Sequence, residues 1–174
     1  SIVTHSRVRP LNLTSSQSYW EMTEKLVTEF SRFTSYSIPR DWSSASYPMA
    51  FASLNQKIEF PGLFPDPYQA DSKFFDLLKS FGCVETDKNG IVVKKLQNHQ
   101  TVKMDVSDCL DLVPTLAYFL SHVDGKHELQ GVENLVHKES DRLSEVIKLA
   151  GHFGRQASTD GKTLFLEGSS LRKD

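Results

Sequence analysis

Apolar positions along this chain follow helical and strand periods in a fixed order, and that order occurs twice. The first occurrence opens at Asp41-Trp-Ser-Ser-Ala-Ser-Tyr47, whose Asp and Ser residues are good helix N-caps. An apolar helix is predicted from there through Met49, Ala50, Phe51 and Leu54. Residues 57–60 read as a short strand running into a Pro-Gly turn. Over 71–81, Phe74, Phe75, Leu77, Leu78 and Phe81 share one face of a second helix, which Gly82 ends as a C-cap. Two strands, 83–86 and 91–94, close the set around an Asp-Lys-Asn-Gly turn.

The second occurrence lies about 70 residues further on. Residues 108–121 predict an apolar helix carrying Leu112, Leu116, Phe119 and Leu120, and 101–104 supply a strand ahead of it. A strand at 127–132 follows, then an amphipathic helix over 139–153 with Leu143, Val146, Ile147 and Ala150 at helical spacing. Gly154 matches Gly82, and Thr159-Asp-Gly-Lys162 is the second hairpin turn. The offset exceeds solenoid periods, so the pattern describes a duplicated supersecondary unit. Ahead of both, 1–8 alternates like a strand end, and 19–33 predicts a helix with Met22, Leu26, Val27 and Phe30 inward. The fold expected is α/β (α+β), built from about two βαβαββ-like units and part of a third. Its divisions are 1–40, a remnant of a preceding unit; 41–100, the first unit; 101–168, the second; and a polar tail, 169–174.

Composition narrows the function classes. With 39% hydrophobic and 24% charged residues and a formal net charge of -2, the 174-residue chain has no basic excess to favour nucleic acid. No apolar run approaches a membrane span, so no membrane partner is expected. Cys83 and Cys109 have neither zinc-site spacing nor a disulfide framework, and the six histidines are scattered. No metal site is therefore predicted, and a reducing cytoplasm is the expected compartment. The abrupt opening at Ser1 and the polar end read as cuts.

The most charged short motif is His137-Lys-Glu-Ser-Asp-Arg142. At the start of a helix, Lys138 and Arg142 would share a face and, with the free N–H groups there, bind an anion. Arg142 can grip a carboxylate or phosphate through two parallel N–H groups, while Lys138 is a point charge. Glu139 between them could move a proton; the cations lower its pKa and burial raises it. Chemistry aside, the same string is a solvated helix start, capped by Ser140 or Asp141, with Glu139 and Arg142 paired. Asp111 precedes an apolar stretch, either as a helix cap or as a carboxylate that binds hydroxyls or acts as a base. Asn134 reads as a loop residue. The Ser-rich stretches at 14–18 and 43–46 suit capping as well as phosphate binding.

Taken in order, these segments resemble the EPSP synthase (3-phosphoshikimate 1-carboxyvinyltransferase) family. Asp41-Trp-Ser-Ser-Ala-Ser-Tyr47 is similar to its Asp-x-Ser-Ser-Ala-x-Tyr/Phe helix start, and Gln69-Ala-Asp71 to its Gln-Gly-Asp segment. The 108–115 stretch resembles Asp-x-x-Pro-Asp-x-x-Pro-Thr, with Leu110 where a proline is usual. Lys138-Glu-Ser-Asp-Arg-Leu143 is the family's most recognisable string, intact here. Ser16-Gln-Ser-Tyr19 resembles Ser-x-Pro-Tyr, with Ser18 replacing the proline.

The resemblance implies two lobes of three βαβαββ units each, an inside-out α/β barrel in each lobe, closing over substrate. It also implies transfer of the enolpyruvyl group of phosphoenolpyruvate to the 5-hydroxyl of shikimate 3-phosphate, with no cofactor. Carried over, Ser16, Tyr19, Asp111, Asn134 and Lys138 would hold shikimate 3-phosphate and Arg142 would bind phosphoenolpyruvate. Asp111, Lys138 and Glu139 would be the catalytic residues. The family's Gly-Ser-Lys-Ser, Gly-Asn-Ala-Gly-Thr and Asp-His-Arg motifs are absent from these residues, so the chain is expected to be a C-terminal-half fragment, inactive without the remainder. The alternative is a reduced, non-catalytic paralogue kept as a binding or interaction module. The related UDP-N-acetylglucosamine enolpyruvyl transferases fit less well, because their reactive-cysteine loop is missing.

Overall fold

The computed structural model describes residues 10–13, 17–29 and 35–167. Ser16, Phe30 and the expected strand over 1–8 lie outside them. Helix α1 (Gln17–Glu29) comes first, then α2 (Trp42–Asn55), β1 (Ile58–Pro61), α3 (Lys73–Ser80), β2 (Val84–Thr86) and β3 (Gly90–Val93). β4 (Lys103–Asp105), α4 (Val113–Ser121), β5 (His127–Gln130), α5 (Arg142–His152), β6 (Gln156–Thr159) and β7 (Thr163–Glu167) follow. Short 3-10 turns at Ala70–Ser72 and Leu110–Leu112 lead directly into α3 and α4, and a third occupies Glu133–His137.

The duplication is visible in the strand order. One sheet runs β1-β3-β2, all antiparallel, and the other runs β4-β5-β7-β6. In the second, β5, β7 and β6 repeat the antiparallel pattern of β1, β3 and β2, and β4 adds a parallel partner to β5 across the α4 connection. The helix endings repeat too. Gly82 and Gly154 both have φ near +70°, which an L-side chain rarely adopts. Gly82 N–H donates to Lys79 O and Cys83 N–H to Leu78 O; Gly154 N–H donates to Gly151 O and Arg155 N–H to Ala150 O. One glycine per unit thus turns its helix into the following hairpin.

Both sheets share one core, in which α2 packs on α4 and α4 on α5. Phe119 of α4 is the joint, with its ring edge-to-face against Phe74 at 5.9 Å and Phe81 at 5.3 Å, both from the first half. Trp42, fully buried, donates its indole N–H to Phe64 O at 2.9 Å. Between α2 and α4, the Ser46 and Thr115 hydroxyls pair at 2.9 Å, so these buried polar groups satisfy each other.

Three predicted elements are corrected. The amphipathic helix starts at Arg142, because Asp141 takes the N-cap and accepts the Ser144 N–H, while Lys138 is extended. Residues 108–109 lie outside the helix that the apolar run predicts, and the chain enters α4 through a 3-10 turn. On α1, Met22 and Leu26 are half-buried and Val27 is exposed, because this helix rides over a cavity instead of packing into the core. Phe51 is likewise half exposed on the outer face of α2.

Candidate active site

Asp111 sits in the 3-10 turn ahead of α4 and caps nothing. Its Oδ1 instead accepts from Arg142 Nη1 at 2.6 Å and lies 3.8 Å from Lys138 Nζ. Arg142 also turns Nε toward Glu139 Oε1 at 3.1 Å, and its Nη2 pairs with the same oxygen. The guanidinium is therefore shared between two carboxylates. Lys138 and Arg142 do converge, but through the tertiary fold and not through one helical face. The helix-start anion site is corrected as well, since Asp141 already fills the N-terminus of α5. Glu139 is exposed, and its hydrogen bond from Arg142 holds its carboxyl below the usual glutamate range, so it rests ionised.

The N-terminus of α2 closes the other side. Asp41 caps it, accepting the Ser43 N–H at 3.0 Å and the Ser44 hydroxyl. Ser43 Oγ donates to Asp71 Oδ2, and Ser46 Oγ also bonds Ser43 O at 2.7 Å. These hydroxyls are consumed internally, which is the capping outcome for the Ser-rich stretch. Ser43 also faces a groove with Asp111, Pro114 and Arg142, so α2, α4 and α5 meet at this point.

Tyr19 reaches the same corner from α1. Burial, and then the charges of Asp71 and Asp111, push its phenol up to about 12, while a hydrogen bond with Ser43 works the other way. Ser18 anchors the helix beside it, donating its N–H to Asp108 Oδ1 at 3.0 Å and its hydroxyl to Asp108 Oδ2. Asn134 is half-buried in the 3-10 turn Glu133–His137, and no hydrogen bond ties it to the Asp111 cluster. Ser16 lies outside the described residues.

Two members of the site escape a reading of the sequence. Asp71 is 1% exposed, and burial raises its pKa. Asp108 receives Ser18 across 90 residues. Both stand just ahead of helices, so capping is what their positions suggest; only the tertiary fold brings the hydroxyls to them. The Gln69-Ala-Asp71 segment was the available signal. Among the described residues, no group of three or more His, Cys, Asp and Glu side chains is placed to hold a metal ion. No helix there is long and apolar enough to cross a membrane.

Two α/β repeats in this order, packed together through α2, α4 and α5, have the fold of solved enolpyruvyl transferases. Solved structures agree: the chain superposes on EPSP synthase from Acinetobacter baumannii with TM-score 0.65 at 22% identity, covering 79% of this chain and 34% of that one. It also superposes on the enolpyruvyl transferase NikO from Streptomyces tendae with TM-score 0.54 at 15% identity, covering 76% and 31%. The family model for EPSP synthase (3-phosphoshikimate 1-carboxyvinyltransferase) matches residues 15–172, and the chain belongs to that family. Curated relatives named 3-phosphoshikimate 1-carboxyvinyltransferase include those of Aeropyrum pernix, 32% identical over 77% of this chain, and Methanothrix thermoacetophila, 38% identical over 64%. The chain spans 32% and 27% of their respective lengths, about a third or less.

Proposed function

We propose that this chain supplies one substrate-binding wall of an enolpyruvyl transferase that joins phosphoenolpyruvate to the 5-hydroxyl of shikimate 3-phosphate and releases phosphate. The observation that carries the reading is the Arg142–Asp111 pair at 2.6 Å with Lys138 beside it. In this reading 41–100 and 101–168 are two βαβαββ-like units, 1–40 is the end of a preceding unit from the other lobe, and 169–174 is a tail. The remainder of a two-lobed enzyme is the partner, and the reaction belongs to the cytoplasm.

The chemistry follows from the donors and acceptors present. Two polyanionic substrates need converging cations before their reacting atoms can meet. Arg142 offers a planar fork to the phosphoenolpyruvate carboxylate or phosphate, and that anion replaces Glu139 at the guanidinium. Asp111 Oδ1 is occupied by Arg142, which leaves Oδ2 to accept the proton of the attacking hydroxyl. Lys138 is a proton-bearing group beside it, suited to protonate the methylene carbon as the C–O bond forms at the neighbouring carbon. Loss of phosphate and of a methyl proton then restores the enol ether, with ionised Glu139 available as acceptor. Tyr19 faces shikimate 3-phosphate from α1, the family resemblance assigns Ser16 to the same substrate, and Asn134 adds an amide.

Calorimetric titration of shikimate 3-phosphate into this chain, with and without phosphoenolpyruvate, tests the reading. Saturable binding that Lys138→Ala abolishes supports it. Binding that survives both Lys138→Ala and Asp111→Ala overturns it. The second reading, a non-catalytic paralogue, draws on Ser18, whose N–H and hydroxyl close on Asp108 where the family carries proline. It requires a folded chain that binds neither substrate even when the remaining lobe is supplied.

A further inference from the structure

Beneath α1 lies a cavity of about 580 Å³ that touches the active-site corner at Tyr19, Ser43 and Asp71 and extends from there between α1 and the segment leading to α2, where the proposed reaction assigns no residue. Its walls are apolar: Met22 and Leu26 from α1 face Ile38 and Pro39 from the segment leading to α2. Its floor is acidic, formed by Asp41, Asp66 and Asp71. A volume of this size with an apolar wall and a few converging polar groups has the form of a small-molecule site.

The hydrogen-bond pattern of the floor points to the missing partner. Asp41 accepts Ser43 N–H and Ser44 Oγ, and Asp66 accepts Tyr68 N–H and Gln69 Nε2, both at 2.9 Å. Asp71 Oδ2 accepts Ser43 Oγ. Asp71 Oδ1 alone in this set has no partner, although the residue is 99% buried (1% exposed) and lines the cavity. An unpaired carboxylate oxygen in such a place costs free energy that a donor from a ligand would recover. At the mouth, Lys25 Nζ stands 3.6 Å over the Tyr68 ring, so an ammonium already sits well against this rim.

We propose that this cavity binds a small amine with an apolar body, the ammonium directed at Asp71 and the hydrocarbon between α1 and Ile38-Pro39. Carboxylates outnumber cations around it, with Asp41, Asp66, Asp71 and Glu29 against Lys25, so its acidic side away from Tyr19 favours a cation over an anion. The site is distinct in chemistry from the Arg142 and Lys138 corner, which calls for anions. It does not rest on the enolpyruvyl transfer reading.

Three probes of one shape decide it: 2-phenylethylamine, 2-phenylethanol and phenylacetate, titrated into the chain by ligand-observed NMR. The amine is expected to bind saturably, at least tenfold more tightly than the alcohol, with no binding of the carboxylate. Asp71→Asn is expected to weaken the amine at least tenfold and leave the alcohol unchanged. Should Asp71→Asn fail to fold, Leu26→Trp, which fills the cavity from α1, is expected to abolish amine binding. Equal affinity for amine and alcohol, undiminished amine binding by Asp71→Asn, or retained binding by Leu26→Trp overturns the proposal.

Discussion

Arg142, the first residue of α5, places Nη1 2.6 Å from Asp111 Oδ1 in the turn ahead of α4, although 31 residues separate them. Both side chains keep substantial solvent access, 26% and 42%. Water and salt therefore screen the pair, and its worth to stability is under about 1 kcal/mol. Asp111→Ala is expected to change the urea midpoint little while removing shikimate 3-phosphate binding. A large loss of stability with intact binding would make this pair structural and remove it from the site.

The joint at Phe119 has the opposite character. Its fully buried ring contacts Phe74 and Phe81, so truncation opens a cavity between the two halves of the molecule. Phe119→Ala is expected to cost about 3–5 kcal/mol. Because the core is continuous, circular dichroism and Trp42 fluorescence, read in a Trp20→Phe background, should report one coincident transition in urea. Two separated transitions would show that the halves fold independently.

Gly90 carries a constraint of a different kind. It opens β3 with φ +149°, and a Cβ there would stand 2.3 Å from the Phe60 carbonyl oxygen of the neighbouring strand. Gly161 also has positive φ, +89°, but nothing lies within 4 Å of its Cβ position. Gly161→Ala is expected to cost about 1–2 kcal/mol from backbone strain alone, and Gly90→Ala clearly more, because strand pairing must also shift. Comparable urea midpoints for the two variants would contradict the clash.

His127 sets an acid limit. Its Nδ1 accepts the Val102 N–H at 3.2 Å and its Nε2–H donates to Val123 O at 2.9 Å, an arrangement only the neutral ring satisfies at both ends. Burial lowers its pKa below the ordinary 6.5, and the nearby Arg155 charge acts the same way. Below 6.5 the unfolded chain therefore binds a proton that the folded chain resists. This contribution is full above pH 6.5 and is lost progressively as pH falls toward the depressed folded value. His127→Gln should flatten the decline between pH 6.5 and 5 in urea unfolding; an unchanged slope would assign it to other groups.

The parts of this molecule legible in sequence are those governed by local periodicity. Gly82 and Gly154 announce their helix ends because left-handed backbone selects glycine, and Asp41 announces α2 because a side-chain acceptor is needed there. The sequence alone puts Lys138 on a helix because charge spacing at i, i+4 is the same whether the cap falls before or after it; Asp141 decides, through its bond to Ser144 N–H. Asp71 and Asp108 were illegible as partners of Ser43 and Ser18, since hydroxyl–carboxylate pairs across 28 and 90 residues leave no periodic trace. Val27 of α1 is exposed although the period puts it inward, because the period identifies an apolar stripe but not whether a core or a cavity lies beneath it.

Ser18 offers a test of how α1 is held. It is the second residue of that helix, where proline's missing N–H removes no intrahelical bond and its fixed φ suits the first turn. Yet its N–H and hydroxyl are the two donors that tie α1 to Asp108. Ser18→Pro is therefore expected to leave α1 helical while freeing its first turn from the body of the protein. α1 buries no residue fully, so little apolar contact compensates. Hydrogen exchange should accelerate across α1 in the variant, with protection of α4 and β7 unchanged. Ser18→Ala retains the backbone donor and should fall between the two. If α1 exchanges equally in all three proteins, the cavity walls and the Tyr19–Ser43 contact hold the helix, and the Asp108 link is incidental.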